Sequence, residues 1–319
     1  MSIITGGQVR EVIEISKIGT KRLDEIDLKD TNNVMFRMLD PNSNLSIGKR
    51  MLPYKIADVL TTEFGLDKNI FEDVLTDRKM FNPNNLINTL SQKIKDHKII
   101  KCVEQEISLH LDDEGRPKGP TDHSWFSNVD ENQIFEQVMK WCPYFYYHNA
   151  CMSDFMIDYT KTNPNRAQAI EMKGMNPEPE PIALMEPSEY KAQGKTCMGC
   201  IVNTDTKPGE GIHWVAIFYD ARNHNSHTIE YFNSTGQQPK KDIKDWMKSF
   251  ADRSTQQLGI SCKAVTATNI SHQNSRSECG AYSAYYVMCR VIGVNYKKFR
   301  EQTIPDDVVF KFRKCLFKK

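Results

Sequence analysis

The sequence predicts an α+β fold, on three observations. Short β-type runs occupy Met198–Asn203, His213–Tyr219, His227–Asn233 and Ala264–Ile270, all in the last third of the 319 residues. Helical patterns near Lys241–Leu258, Cys279–Ile292 and Asp306–Leu316 are set among those runs. Strands clustered between helices make an α+β domain, and the first 110 residues read mostly as helices with polar joints.

In that first stretch Ile56, Val59, Leu60 and Phe64 recur at helical spacing, as do Ile70, Phe71, Val74 and Leu75, and then Leu86, Leu90 and Ile94. Asp112–Pro120, with Gly115, Pro117, Gly119 and Pro120, breaks the pattern. It divides a mostly helical N-terminal arm domain over 1–118 from a second domain over 119–319. Asn128 followed by Glu131 is the signature of a capping box, and Ile134, Phe135, Val138, Met139 and Trp141 give the helix after it a buried stripe that Pro143 ends. From Thr160 to Thr196 the chain turns polar, with Pro164, Gly174, Pro177, Pro179 and Pro181. It reads as a long surface excursion, either an insertion or a substrate-facing loop.

Lys and Arg number 42 against 41 Asp and Glu, so no global field drives the chain onto nucleic acid or an anionic membrane. Nine cysteines at irregular spacing are not a disulfide framework, and nowhere do eighteen apolar residues run together. The expectation is a soluble protein of a reducing compartment, with thiols free for chemistry. Cys197-Met-Gly-Cys200 is a lone pair without a second at matching spacing, so no metal or cofactor is expected.

His213–Tyr219 and His227–Asn233 are joined by Asp-Ala-Arg-Asn-His-Asn-Ser, polar turn chemistry that makes an antiparallel hairpin. A turn centred on Asn223 sets Val215 opposite Tyr231, Ile217 opposite Ile229 and His213 opposite Asn233. Opposed side chains have Cβ atoms about 4.5–5.5 Å apart, close enough for the Asn oxygen to accept from an imidazole N–H. The plain alternative is that both residues merely end strands. A one-residue slip would put them on opposite faces.

Residues 271–278 are polar, and from Cys279 a helical stripe begins with Ala281, Ala284, Tyr285, Met288 and Ile292. Cys279 thus sits at a helix N-terminus, where unpaired N–H groups and the helix dipole favour a thiolate, and pairing with an imidazolium there can bring its pKa several units lower. Gly280 gives a substrate carbonyl close access to the backbone. Gln273, six residues before Cys279, can aim its amide at a tetrahedral oxyanion. The alternative for any one cysteine is a small buried hydrophobe, which is the reading for the other eight. His272 competes with His213, being seven residues before Cys279.

The order His213-Trp214, Asn233, Gln273, Cys279-Gly280 resembles the ubiquitin-like-protein-specific protease family, which includes adenovirus protease. It is most like the polyprotein-processing branch found in African swine fever virus and related large DNA viruses. The strings that carry the resemblance are Gly199–Asp205, Gly211–Phe218, Ile229–Gly236, Val265–Gln273 and Ser277–Ser283. It covers 196–319 best, then 121–160, and hardly touches 1–120. The resemblance implies a papain-like cysteine protease fold, with His213 as base and acid, Asn233 orienting it, Cys279 as nucleophile and Gln273 in the oxyanion hole. It also implies cleavage after Gly-Gly, with Trp214 walling a slot that admits only glycine. Many family members have Asp where this chain has Asn233; a neutral amide fixes the tautomer but adds little charge stabilisation.

Three functions follow: a cysteine endopeptidase maturing viral structural polyproteins at Gly-Gly-Xaa sites in the host cytoplasm and virion, an isopeptidase removing ubiquitin-like modifiers from host proteins, or a non-catalytic virion scaffold. The first is preferred. No membrane partner is expected; contact with nucleic acid could be made only through the basic stretch Lys297–Lys319. Thr5-Gly6-Gly7-Gln8 holds a Gly-Gly-Xaa string that the enzyme could clip or that could be a chance feature of a terminus.

Overall fold

The structure, a computed structural model, describes residues 27–31, 87–88, 91–92, 100–101, 104, 120 and 124–316. The chain divides into two compact units, residues 1–31 with 125–310 and residues 32–124 with 311–319. The helical patterns expected between Ile56 and Ile94 and the joint at Asp112–Pro120 lie outside the described residues, apart from helical 87–88 and 91–92 and residue 120. Gly6, Gly7, Lys318 and Lys319 lie outside them too.

The first unit is built on a five-stranded mixed sheet. Its strands are β1 (Phe145–Met152), β2 (Cys197–Asn203), β3 (Trp214–Asp220), β4 (His227–Phe232) and β5 (Cys262–Thr266), adjacent in space in that order. β1 runs parallel to β2 and β4 to β5; the central pairs are antiparallel. Its longer helices are α1 (Asn128–Trp141), α5 (Lys241–Leu258), α6 (Cys279–Val291) and the first residues of α8 (Asp306–Leu316), whose remainder falls in the second unit. Shorter ones are α2 (Tyr159–Thr162), α3 (Pro164–Met172), α4 (Pro187–Ala192) and α7 (Lys298–Glu301).

β2 and β3 are buried along nearly their whole length because helices cover both faces of the sheet. Val215, Ile217 and Tyr219 join Ile243, Trp246, Met247 and Phe250 of α5 in one core. The alternate residues Ala216 and Phe218 face the other way, toward α6. All thirteen residues of α6 are buried. Its far end is fixed by Arg290, which bridges Glu230 at 2.7 Å and Asp220 at 2.6 Å, while Tyr286 Oη donates to Glu230 at 2.5 Å. Removing one partner of such a buried pair costs about 3–5 kcal/mol.

Four details depart from the sequence reading. The capping box is Ser127 with Asp130, one residue earlier than Asn128 with Glu131, because the serine hydroxyl accepts the Asp130 N–H and the Asp130 carboxylate accepts the Ser127 N–H. The frame shift turns Glu131 inward. β1, whose run Phe145-Tyr146-Tyr147 follows Pro143, was not expected as a strand. The excursion is organised: it carries α2, α3 and α4, packs Tyr159, Ala167 and Ile170 on one another, and sends Ile182 and Met185 into the main core.

The fourth detail is register. Ile217 pairs with Tyr231 and Tyr219 with Ile229, so the turn centres on His224 and not Asn223. β3 runs one residue further because Asp220 pairs with Thr228 and Arg222 and Arg290 clamp its carboxylate. The shift leaves odd-numbered residues opposite odd-numbered ones, so the faces are as expected. Direct opposition of His213 and Asn233 is not.

Candidate active site

β3 and β4 deliver two side chains just beyond their ends. His213 precedes β3 and Asn233 follows β4, making them diagonal neighbours across the hairpin, a relationship long and aromatic side chains can bridge. His213 Nε2 lies 2.8 Å from Asn233 Oδ1. That oxygen also accepts the Thr235 N–H at 3.0 Å and the Thr235 hydroxyl at 2.9 Å, while Asn233 Nδ2 donates to Tyr231 Oη at 3.4 Å. The amide is therefore oriented with oxygen toward the ring. In the neutral imidazole the proton sits on Nε2, leaving Nδ1 as the basic nitrogen.

The loop before His213 is tied down at both ends. Asn203 Oδ1 accepts the N–H groups of Asp205 and Ile212, Thr204 N donates to the His213 carbonyl at 2.7 Å, and the Asp205 carboxylate accepts from Gly211 N. Gly211 takes φ +93°, and a Cβ there would meet Asn203 Nδ2 at 2.8 Å, so glycine is required. The excursion grips this loop from outside. Lys207, 1% exposed, reaches Glu180 at 2.6 Å and the carbonyls of Asn176 and Glu178, and Arg166 holds Thr206.

The loop into α6 is fixed by Ser234 and Asp306. The Ser234 carbonyl accepts the N–H groups of His272 and Gln273, and its hydroxyl donates to Gln273 Oε1 at 2.6 Å. Gln273 Nε2 gives one hydrogen to the Ser275 carbonyl, leaving the second uncommitted. Asp306 accepts from Asn274 N, Ser275 N and Tyr282 Oη. Cys279 then opens α6, only 3% exposed, with the backbone N–H groups of Trp214 and Gly280 directed at its sulfur. The nucleophile candidate thus abuts the residue next to His213.

Burial pushes the Cys279 thiol above its ordinary range, against the pull of the Trp214 and Gly280 N–H groups. Burial likewise lowers His213, against the Asn233 hydrogen bond. The unliganded site therefore favours a neutral thiol and a neutral imidazole. Burial thus works against the pull of the helix terminus on this thiol.

His272 is set apart from this chemistry. It is fully buried, its Nε2 meets Thr268 Oγ1 at 3.0 Å, its Nδ1 accepts Ile304 N at 3.1 Å, and Phe232 and Phe299 lie against its ring. Both nitrogens are committed. Cys197 and Cys200 lie in β2, fully buried, and Cys289 is buried within α6.

Trp214 donates Nε1–H to the Phe126 carbonyl at 2.8 Å, which brings the segment before α1 against the site. Its neighbour Trp125 is 53% exposed and Ile212, beside His213, is 62% exposed. Gly280 is not open on its Cβ side: a Cβ would lie 2.7 Å from Glu131 Oε1 and 2.8 Å from Phe126 Cβ. Its smallness serves the packing of α1 on α6, and only its N–H faces the sulfur. Ser234, Thr235, Asp306 and Trp125 were missed by sequence reasoning. Ser234 and Thr235 directly follow Asn233, so a local search for side chains that orient the amide was the available signal.

Residues 194–319 match the Ulp1 protease family, C-terminal catalytic domain. Over 230 residues the chain is 34% identical to the SUMO-1 cysteine protease of African swine fever virus, a span of 70% of this chain and 80% of that relative. The chain belongs to the Ulp1 protease family. It is a cysteine protease of SUMO-protease-like type with an α+β protease fold. A crystal structure of the selenomethionine form of the African swine fever virus protease superposes on this family member with a TM-score of 0.50 and 25% identity, covering 80% of this chain and 91% of the other.

Proposed function

We propose that this cysteine protease is an endopeptidase that cuts viral structural polyprotein precursors after Gly-Gly during virion maturation, with His213, Asn233, Cys279 and Gln273 as its catalytic residues. The observation that carries the catalytic assignment is the 2.8 Å contact of His213 with Asn233, joined to the Cys279 sulfur through the backbone N–H of Trp214, the residue after His213. In the reaction, His213 Nδ1 takes the Cys279 proton as the sulfur attacks the scissile carbonyl. The free N–H of Gln273 Nε2 and a backbone N–H at the start of α6 receive the oxyanion. The imidazolium protonates the leaving amine, and the acyl-enzyme remains. Water, deprotonated by the same imidazole, then releases the acid and frees the thiol.

Trp214, whose backbone N–H is directed at the sulfur and whose indole is pinned to the Phe126 carbonyl, supplies a flat apolar wall at the site. Such a wall suits a substrate segment without side chains, which is the support for Gly-Gly. The setting proposed with it is the host cytoplasm and the virion; its support is the viral origin of the relative.

A Gly-Gly-Xaa peptide series, a matched Gly-Ala-Xaa series, and ubiquitin and SUMO active-site probes test the proposal. Cleavage of the first series, lost in Cys279→Ser, is the expected result. Probe labelling without peptide cleavage would replace it with the isopeptidase reading.

A further inference from the structure

Glu131 stands out among the described residues. It lies on α1 with no exposed surface, and neither carboxyl oxygen has a hydrogen-bond partner. No cation among the described residues pairs with it. The groups that face it are Asp130 on its own helix, Tyr147 on β1 and Cys279 on α6; Cys151 and Cys200 lie beyond Tyr147. None of these carries a positive charge in any protonation state. The Tyr147 hydroxyl is itself buried and gives Glu131 no hydrogen bond.

The carboxyl is pressed against the first turn of α6. Its Oε1 occupies the space a Cβ on Gly280 would need, one residue past the nucleophile. An ionised carboxylate stripped of water and counter-ion is far costlier than the neutral acid, and the help of one helix terminus is smaller than that penalty. Burial accordingly raises Glu131 well above the usual carboxylate range, with Asp130 adding to it.

We propose that Glu131 is a positioning residue for the nucleophile: as a neutral acid it fills the space behind Gly280, and where it ionises it sets a second negative charge behind Cys279 and restrains thiolate formation. The idea rests on Cys279 being the nucleophile. It adds a group that neither touches substrate nor belongs to the His–Asn–Cys arrangement, yet sets how thiolate content depends on pH. The sign is fixed by Coulomb's law: a negative Glu131 raises the thiol, so a neutral substitute lets the thiol ionise more readily at high pH.

The test is the rate of iodoacetamide alkylation against pH for the wild type, Glu131→Gln and Cys279→Ser, read beside the infrared carbonyl stretch of protonated carboxyl groups. The Glu131→Gln to wild-type rate ratio is expected to climb with pH, by about threefold or more across the alkaline limb. A protonated-carboxyl band that moves on isotopic labelling of glutamate is expected in the wild type at neutral pH and absent from Glu131→Gln. A rate ratio constant with pH, or no such band in the wild type, overturns the proposal, and the band needs no variant to fold. Rapid alkylation that survives in Cys279→Ser overturns instead the choice of nucleophile.

Discussion

His213 and Asn233 meet across a diagonal of the β3–β4 hairpin, at 2.8 Å between Nε2 and Oδ1, although the ladder does not pair them. The contact is held from the Asn233 side, by Thr235 on the oxygen and Tyr231 on the nitrogen. An orienting amide that is itself oriented leaves the imidazole one tautomer.

Replacing that amide tests the arrangement by charge. In Asn233→Asp a carboxylate faces the ring and raises His213, which burial otherwise lowers. Because the base must be neutral to act, the acid limb of kcat/KM is expected to move to higher pH. Asn233→Ala is expected to cut kcat by about 10²-fold or more, through loss of ring orientation. An unmoved acid limb in the Asp variant argues against His213 as base.

The two histidines separate cleanly. His213→Ala is expected to abolish peptide cleavage, whereas His272→Gln keeps a measurable rate and loses stability. His272 titrates at about 4 in the fold against 6.5 for an ordinary histidine, so the unfolded chain takes up its proton first as pH falls. Its share of stability is complete above pH 6.5 and drains between there and about pH 4, by up to about 3 kcal/mol. Melting curves over that range should fall less steeply in His272→Gln.

Gln273→Ala is expected to lose about 10²–10³ in kcat, the effect of deleting one oxyanion donor. Ser234→Ala should reproduce part of that loss, about tenfold, since its hydroxyl holds Gln273 Oε1 and does not touch substrate. Single-turnover kinetics of both variants measure this, and an unchanged kcat for Gln273→Ala removes it from the mechanism.

Gly280→Ala introduces a methyl where Glu131 and Phe126 already lie, and overpacking of this kind costs about 1–3 kcal/mol. Denaturant unfolding should register the loss. A variant as stable as wild type would mean that α1 and α6 can part without cost.

The reach of sequence reasoning followed the range of the forces involved. α5 and α8 were placed to the residue, because an apolar stripe at 3.6-residue spacing is a local signal. β2 and β4 were placed nearly as well. β1 was passed over because it is buried on both faces and so lacks alternation, and the polar pair His148-Asn149 interrupts its aromatic run. The hairpin turn slipped by one residue because Asp220 is held in the strand by Arg290, 70 positions away. The sequence pairs Glu131 with Asn128 in a capping box that Ser127 and Asp130 form instead. The His213–Asn233 contact and the helix start at Cys279 are legible in the sequence; the burial that shifts both titrating groups is not, since desolvation depends on packing that no short window contains.

The grip of Asp306 on the loop before α6 also bears on when the enzyme can first act. Asn274, Ser275 and Tyr282 are all pinned by a carboxylate that lies further along the chain than the nucleophile. During synthesis, Cys279 leaves the ribosome while the residue that sets its loop has yet to emerge. A nascent chain therefore carries the thiol without the mould that shapes its surroundings. Only when Asp306 follows can its carboxylate take up Asn274, Ser275 and Tyr282 and set the loop.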